Sequence, residues 1–229
     1  MGTADNGSQP DSARTLIAMR TRVKICGITR LEDALVACRA GADALGFIFF
    51  AGSPRNIEIE AARVITRALP AFVTSVGLFV DPNRDMVERA LDALPLDLLQ
   101  FHGEEGPEFC EQFGAPYIKA VRMRPEVDLL ECARRFKRAR GLLLDTYVSG
   151  TKGGTGERFD WTLIPAEVPL PIVLSGGLDP ENVGAAIRVV QPWAVDVCSG
   201  VEATKGIKDQ ARILAFMTGV RNADAQSSR

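Results

Sequence analysis

Eight short apolar runs, separated by polar segments, are the feature that most limits what this sequence can fold into. Each run has the length of a strand, and most are continuous rather than alternating, which is typical of parallel strands covered on both faces. Segments with a helical period lie between them. The runs are Val23–Cys26, Ala44–Phe50, Phe72–Val80, Leu96–Phe101, Tyr117–Val121, Leu142–Leu144, Pro171–Leu174 and Ala194–Val197.

Eight strands alternating with helices predict an α/β fold, a single (β/α)8 (TIM) barrel. A chain of 229 residues can form such a barrel as one domain. The alternative is a doubly wound open sheet. A dinucleotide-binding sheet requires GxGxxG after its first strand, and Cys26-Gly27-Ile28-Thr29 does not supply this motif.

Capping signals mark several helix ends. They predict starts at Thr29, at Asp81-Pro82 and at Asp179-Pro180, and an end at Gly41. The polar composition of both chain ends predicts flexible tails over residues 1–20 and 221–229, around a catalytic barrel domain over 21–220.

Charge and cysteine usage limit the partners. The 27 basic and 29 acidic residues nearly balance, and no apolar run approaches the length of about 20 residues that spans a bilayer, so we expect neither nucleic acid nor membrane as a partner. Five scattered cysteines without CxxC spacing, and a single histidine, indicate a reducing cytoplasm and no metal site. No exposed apolar stripe is evident, so we expect a monomer.

The first strand carries candidate chemistry on one face. Side chains alternate along a strand, so Lys24 and Cys26 share the face opposite Val23 and Ile25. This face carries a cation and a thiol and ends at the turn residue Gly27. Such a polar face is better suited to the floor of an active site than to a hydrophobic core. Lys24 is interpreted first as a partner in an inner ion pair.

Other candidates end later strands, where barrels place their chemistry. Asp145 follows three leucines, and burial there would raise its pKa and let it act as an acid; a capping role is the alternative. Arg55 follows the second strand and could form a forked hydrogen bond with a carboxylate. The alternative is an exposed surface side chain. His102 ends the fourth strand, and the alternation turns Asp196 inward. Cys198 lies near the same end, without a partner that suggests a nucleophile.

Glycine-bearing turns predict an anion site. Ser175-Gly176-Gly177 and Ser199-Gly200 follow the seventh and eighth strands, where barrels commonly hold a phosphate. A long loop after Asp145 contains Gly153-Gly154-Thr155-Gly156, a weaker signal for backbone contacts with phosphate.

Together these stretches resemble the phosphoribosylanthranilate isomerase family. The resemblance covers about Val23 to Gly219 in family order. Its motifs are Lys24–Thr29, Gly41–Phe47, Gln100–Gly103, Leu144–Thr146, Phe159–Trp161, Leu174–Val183, Val195–Val197 and Ser199–Glu202. The chain departs from the family at Cys198, where a small polar residue is more usual.

The resemblance implies an Amadori rearrangement of N-(5-phosphoribosyl)anthranilate to 1-(2-carboxyphenylamino)-1-deoxyribulose 5-phosphate in tryptophan biosynthesis, without a cofactor. It implies Cys26 as general base, Asp145 as general acid and Arg55 as the ligand of the anthranilate carboxylate. His102 and Asp196 are assigned to substrate binding. The phosphate site comprises Gly154, Gly156, Gly176, Gly177, Ser199 and Gly200. Two alternatives stay open: a related phosphosugar barrel, such as a Schiff-base aldolase using Lys24, and a non-catalytic phosphate-ligand binder.

Overall fold

The computed structural model describes residues 20–146 and 159–227. It contains a closed barrel of eight parallel strands in chain order, which confirms the predicted fold. The strands are β1 Arg22–Cys26, β2 Ala44–Phe49, β3 Thr74–Phe79, β4 Leu98–Phe101, β5 Tyr117–Met123, β6 Leu142–Thr146, β7 Ile172–Leu174 and β8 Ala194–Val197.

Helices cover the outside of this barrel. They are α1 Leu31–Ala40, α2 Ile59–Arg67, α3 Arg84–Ala93, α4 Pro107–Glu111, α5 Leu129–Arg135, α6 Val183–Val190 and α7 Gln210–Ser227. Between β6 and β7 the described residues form only a 3₁₀ helix, Trp161–Leu163. A second 3₁₀ helix, Ser199–Val201, follows β8 and leads into a small antiparallel pair, Glu202–Thr204 with Ile207–Lys208.

The continuous apolar runs are explained by two separate cores. Outward-facing side chains such as Ile25, Phe47 and Phe101 pack against the helices in the main hydrophobic cluster. Inward-facing side chains fill the barrel itself. Its lower layer consists of Ile118, Ala120, Leu143, Val173 and Ala194. Because both faces of each strand are covered, polar residues inside the barrel must find partners there.

Helix ends follow the sequence signals only in part. Gly41 ends α1 with φ +97°, and the Asp179 carboxylate accepts from the Glu181 and Asn182 amides ahead of α6, as predicted. The predictions for Thr29 and Asp81 are wrong. The Thr29 hydroxyl donates to the Gly206 carbonyl, and Asn83 caps α3 by accepting from the Met86 amide.

The chain ends need a second correction. Residues 221–227, expected to belong to a flexible tail, continue α7. Ala223 is buried, and the Asp224 carboxylate accepts from the Thr21 amide at 2.9 Å and the Thr21 hydroxyl at 2.7 Å. These contacts hold the end of the chain against the start of β1. Residues 1–19 of the predicted N-terminal tail lie outside the described part.

Candidate active site

A pocket opens at the carboxyl ends of the strands, with about 680 Å³ of empty space including its mouth. Most predicted site residues line it: Cys26, Arg55, His102, Asp145, Gly176, Gly177, Asp196 and Ser199. Ile48, Phe50, Leu78 and Val80 form an apolar wall beside Arg55. The size and mixed lining suit a small molecule with apolar and charged ends.

The floor of the pocket contains the predicted inner ion pair. Lys24 Nζ lies 2.8 Å from Asp196 Oδ1, and each of the two side chains is 5% exposed. Burial alone would lower the pKa of Lys24, but the Asp196 carboxylate and the Cys26 thiolate raise it above its ordinary value. Lys24 is therefore an ammonium beneath the thiol.

Cys26 ends β1 directly above this pair, with 3% of its surface exposed. A hydrogen bond from the Cys198 thiol and the nearby Lys24 ammonium lower the pKa of Cys26 from 9.0 to about 6, against the opposing effects of burial and Asp196. Gly46 on β2 makes room for this cluster. A Cβ there would lie 2.8 Å from Cys26 Sγ and 3.0 Å from Lys24 Nζ.

Cys198 lies near the site, as the sequence predicts, but sequence reasoning gave it no partner. Lys24 pairs in register with Asp196, and Ile25 with Val197, so the next residues along β1 and the end of β8 are Cys26 and Cys198. The hydrogen bond to Cys26, together with burial, raises the pKa of the Cys198 thiol well above its ordinary value. One thiol of the pair is thus ionised and the other is its hydrogen-bond donor.

Asp145 reaches the pocket from β6 and is 6% exposed. Its Oδ1 accepts from the Thr146 amide, and its Oδ2 lies 3.0 Å from His102 Nε2. His102 Nδ1 in turn lies 2.9 Å from Gln100 Nε2. We call this arrangement the Gln100–His102–Asp145 chain. Gln100 Oε1 is buried and has no hydrogen-bond partner among the described residues.

Arg55 is buried and already has a carboxylate partner. Its Nε and Nη2 each donate to Glu202 at 2.8 Å, a forked pair. Glu202 also lies 3.0 Å from Lys208 Nζ, and these two cations lower the pKa of Glu202 despite its burial. Two cations share one carboxylate, so Arg55, Lys208 and Glu202 together carry one positive charge.

The turns after β7 and β8 meet at the pocket. Gly176 and Gly177 adopt φ of +84° and +63°, values that favour glycine. Gly200 does not line the pocket itself. A Cβ on it would overlap the Leu178 carbonyl oxygen, so its role is to let the two turns approach each other. Gly154 and Gly156 lie outside the described residues.

Three site residues, Gln100, Glu202 and Lys208, were missed by sequence reasoning. Gln100 lies two residues before His102 on the same face of β4, which was an available signal. Glu202 and Lys208 gave no such signal in the sequence, because their partners are remote in sequence or lie in an unpredicted strand pair. Among the described residues, no group of His, Cys, Asp and Glu could hold a metal ion.

The fold and the pocket define a class: (β/α)8-barrel enzymes that present a thiolate and a carboxyl group at the carboxyl ends of different strands. Residues 23–218 match the family model described as N-(5'phosphoribosyl)anthranilate (PRA) isomerase. The chain belongs to this family.

Similar proteins agree with this assignment. N-(5'-phosphoribosyl)anthranilate isomerase of Nitrosospira multiformis is 59% identical over 202 residues, which are 88% of this chain and 97% of that protein. The enzyme of Pseudomonas aeruginosa (strain UCBPP-PA14) is also 59% identical, over 201 residues covering 88% and 95%. The reaction of this chain is therefore the isomerisation of N-(5'-phosphoribosyl)anthranilate in tryptophan biosynthesis.

Solved structures show the same likeness. The Thermotoga maritima phosphoribosyl anthranilate isomerase superposes with a TM-score of 0.80 at 44% identity, covering 88% of this chain and 99% of that one. A further phosphoribosyl anthranilate isomerase, solved with reduced 1-(o-carboxyphenylamino)-1-deoxyribulose 5-phosphate, has a TM-score of 0.75 at 41% identity, with 88% and 99% covered. In residues 20–146 and 159–227, no helix has both the length and the apolar character needed to cross a membrane.

Proposed function

We propose that Cys26 is the general base and Asp145 the general acid of this isomerisation. The supporting observation is that an ionised thiol and a buried carboxyl group line one pocket from β1 and β6, separated by two strands around the barrel. A rearrangement of an aminoaldose to an aminoketose needs one proton donor and one acceptor at different atoms of the sugar.

Asp145 first donates its proton to the furanose ring oxygen. The bond between C1 and that oxygen breaks, and the anilino nitrogen forms a C=N bond to C1. The Cys26 thiolate then removes the proton from C2, and the electron pair of the C–H bond forms an enolamine. Tautomerisation of the enolamine, with protonation of C1, gives the ketone. Protons are only moved, so the sum of the steps is an isomerisation.

The Gln100–His102–Asp145 chain fits both protonation states of Asp145. When Gln100 Nε2 donates to Nδ1, the ring carries its proton on Nε2 and donates to the Asp145 carboxylate. Turning the Gln100 amide over places its otherwise unpartnered Oε1 against Nδ1. The ring proton then lies on Nδ1, and Nε2 accepts from protonated Asp145. His102 therefore positions the acid and contacts the substrate.

The anthranilate group is assigned to the side of Arg55. Glu202 holds one edge of the guanidinium, and the surplus positive charge of Arg55 and Lys208 favours a second carboxylate from the substrate. The apolar wall, Ile48 with Phe50, Leu78 and Val80, is suited to the aromatic ring. Asp196 serves the substrate indirectly, because it is held by Lys24 and lies 3.4 Å from the Ser175 hydroxyl.

The phosphate group is assigned to the turns after β7 and β8, with Gly176, Gly177, Ser199 and Gly200, and to Gly154 and Gly156 of the long loop after Asp145. The geometry supporting this assignment is the close approach of the two turns and their glycine backbone angles. In this assignment phosphate and anthranilate bind to different groups of one pocket, whose lining also includes Cys26 and Asp145 for the chemistry on the sugar.

We further propose a cytoplasmic monomer. The five cysteines are all free thiols, as in a reducing compartment. Large exposed apolar side chains lie on separate elements, such as Val64 on α2 and Val189 on α6. Light scattering during size-exclusion chromatography tests the monomer. One similar structure is of generated monomers of the dimeric Thermotoga maritima enzyme, so a dimer peak for this chain is the contrary result.

The two alternative functions, a Schiff-base aldolase using Lys24 and a non-catalytic phosphate-ligand binder, have weaker support. A Schiff base requires a neutral amine, whereas Lys24 is an ammonium paired with Asp196. A pure binder does not require an ionised thiol opposite a buried acid.

The assigned roles are tested by turnover. Substrate generated from anthranilate and phosphoribosyl pyrophosphate is followed by its fluorescence, for the wild type, Cys26→Ala and a matched variant of a helical thiol, Cys132→Ala. We expect Cys26→Ala to lose about 10²–10⁴-fold in kcat, and Cys132→Ala to remain active. Near-normal kcat in Cys26→Ala would exclude the thiol as base.

A further inference from the structure

Cys26 and Cys198 face each other at the pocket floor. Strands β1 and β8 pair in register at Lys24 with Asp196 and at Ile25 with Val197. Cys26 and Cys198 are the next residue after each of these segments. Neighbouring strands lie about 4.8 Å apart, within the Cα separation of about 4.4–6.8 Å that a disulfide accepts. Lys24 and Asp196 touch across the same inner face, so the next inward pair points the same way.

Local packing brings the two thiol side chains together. Cys198 packs against the small apolar cluster that contains Cys26, with Ile48, Leu78 and Val80. Gly27, directly after Cys26, leaves the space for this contact, since a Cβ on Gly27 would lie 2.9 Å from Cys198 Sγ. Both sulfur-bearing side chains line the open pocket, so a small molecule that enters the pocket reaches them.

We propose that Cys26 and Cys198 form a reversible disulfide when a hydroperoxide enters the pocket. Together they are a two-thiol modification site in addition to their place in the isomerase. The expected loss of activity on oxidation rests on the proposed role of Cys26 as base, whereas the disulfide itself does not depend on that role.

The chemistry balances without any other reactant. The Cys26 thiolate attacks one peroxide oxygen, the O–O bond breaks, and an alcohol or water leaves after taking up a proton. Cys26 is now a sulfenic acid. Cys198 attacks its sulfur, the S–O bond breaks, and the departing hydroxide leaves as water with the proton of Cys198. Two thiols are oxidised to one disulfide, and one hydroperoxide is reduced to an alcohol, or water, and water.

The electrostatics agree with this order of events. Cys26 has the depressed pKa and supplies the attacking thiolate, whereas burial raises the pKa of the other thiols, Cys38, Cys110 and Cys132. Reduction favours attack of an external thiol on the Cys198 sulfur, because Cys26 is the better leaving group. The two cysteines thus have different roles in formation and in release.

The experiment treats the full chain with hydrogen peroxide, alkylates it, and measures intact mass, peptide maps and turnover. In the wild type we expect loss of two hydrogen atoms, a peptide linking Cys26 to Cys198, and a fall in turnover of about 10²-fold or more that dithiothreitol restores. Cys198→Ser should instead gain oxygen on Cys26, including forms that dithiothreitol does not reduce. Cys132→Ser should form the same disulfide as the wild type.

Two results would overturn the proposal. One is a wild type in which Cys26 gains oxygen as it does in Cys198→Ser, with no linked peptide. The other is a linked peptide that joins other cysteines. If the Cys26–Cys198 disulfide forms but turnover persists, the modification site stands and the role of Cys26 as base fails, so the two ideas are separated.

Discussion

At the scale of single residues, the ionisation of Cys26 is a balance of opposing effects. Burial and the Asp196 carboxylate oppose a charge on sulfur, while the Cys198 hydrogen bond and the Lys24 ammonium favour it, and the pKa settles at about 6. A shift of about one pKa unit corresponds to about 1.4 kcal/mol. The thiolate at neutral pH therefore depends on two neighbours, and each can be removed.

The pH profile tests this balance. The base must be deprotonated, so kcat/KM should rise with pH through an acid limb near pH 6, the pKa of Cys26. Lys24→Met removes a charge that favours the thiolate, so the limb should move to higher pH. The measurement is kcat/KM across pH for both proteins.

Removal of Lys24 alone also leaves the Asp196 carboxylate buried without its partner. The double variant Lys24→Met/Asp196→Asn is therefore the control, because it removes both opposing charges and should move the limb less. An unmoved limb in Lys24→Met would show that the ammonium does not tune the thiol.

Asp145 offers a second test. Asp145→Asn keeps the shape and a hydrogen bond to His102 but cannot donate the acidic proton, so kcat should fall about 10²–10⁴-fold while product binding persists. Steady-state kinetics and equilibrium binding of the product give the two quantities. Asp128→Asn, at the cap of α5, should leave kcat unchanged. Equal losses in both variants would point to damaged folding instead of lost acid chemistry.

Individual side chains could be predicted where chemistry and strand position coincide. Cys26 and Asp145 end strands, so the topology alone brings them to one pocket. Contacts between side chains remote in sequence could not be predicted. Arg55 and Glu202 are 147 positions apart, and their forked pair depends on how the segment after β8 folds back. The Cys198 contact likewise depends on the register between β1 and β8.

At the scale of elements, the meeting of the β7 and β8 turns decides the shape of the assigned phosphate site. Gly200→Ala would place a methyl group on the Leu178 carbonyl oxygen. The turns would have to separate, at a cost of about 1–3 kcal/mol, and KM should rise roughly tenfold or more.

Steady-state kinetics and inhibition by inorganic phosphate measure this effect. Gly184→Ala is the matched control, because its Cβ in α6 meets nothing nearer than 3.4 Å, at the flexible end of Arg188. KM equal to that of the wild type in Gly200→Ala would contradict the assignment of this turn.

Element boundaries show where local signals stop being sufficient. Asp179 keeps its capping role because the amides that donate to its carboxylate lie within the same turn. Asp81 was a reasonable cap by composition, but its carboxylate accepts from the Glu104 amide in the next loop. Thr29 is likewise engaged by Gly206. A long-range partner competes for the same side chain in both cases, and the sequence pattern does not contain it.

At the scale of the whole molecule, the end of α7 stabilises the barrel. Asp224→Ala leaves the Thr21 amide and hydroxyl without their carboxylate, so the free energy of unfolding should fall by about 1–3 kcal/mol. Urea denaturation measures the change. Asn222→Ala, at an exposed position of the same helix, should have little effect. Equal stability of Asp224→Ala and the wild type would restore the interpretation of this segment as a tail.

Barrel closure was predictable because eight continuous apolar runs leave no strand that tolerates a wet face. The end of α7 was not, since its polar composition hides a few inward contacts. Ala223 and Asp224 touch the body of the protein, while the residues around them face solvent. The average composition of such a segment predicts a flexible tail, whereas a few buried contacts at helical spacing hold it in α7.

The contact between Thr21 and Asp224 also has an architectural consequence. Thr21 precedes β1, so the start of β1 and the end of α7 lie together at the face of the barrel opposite the pocket mouth. A second catalytic unit joined by a linker to either of these two elements would therefore start from the rear of the barrel and leave substrate entry unobstructed. The same proximity allows the old ends to be joined and new ends to be opened elsewhere, so the barrel is a good candidate for circular permutation.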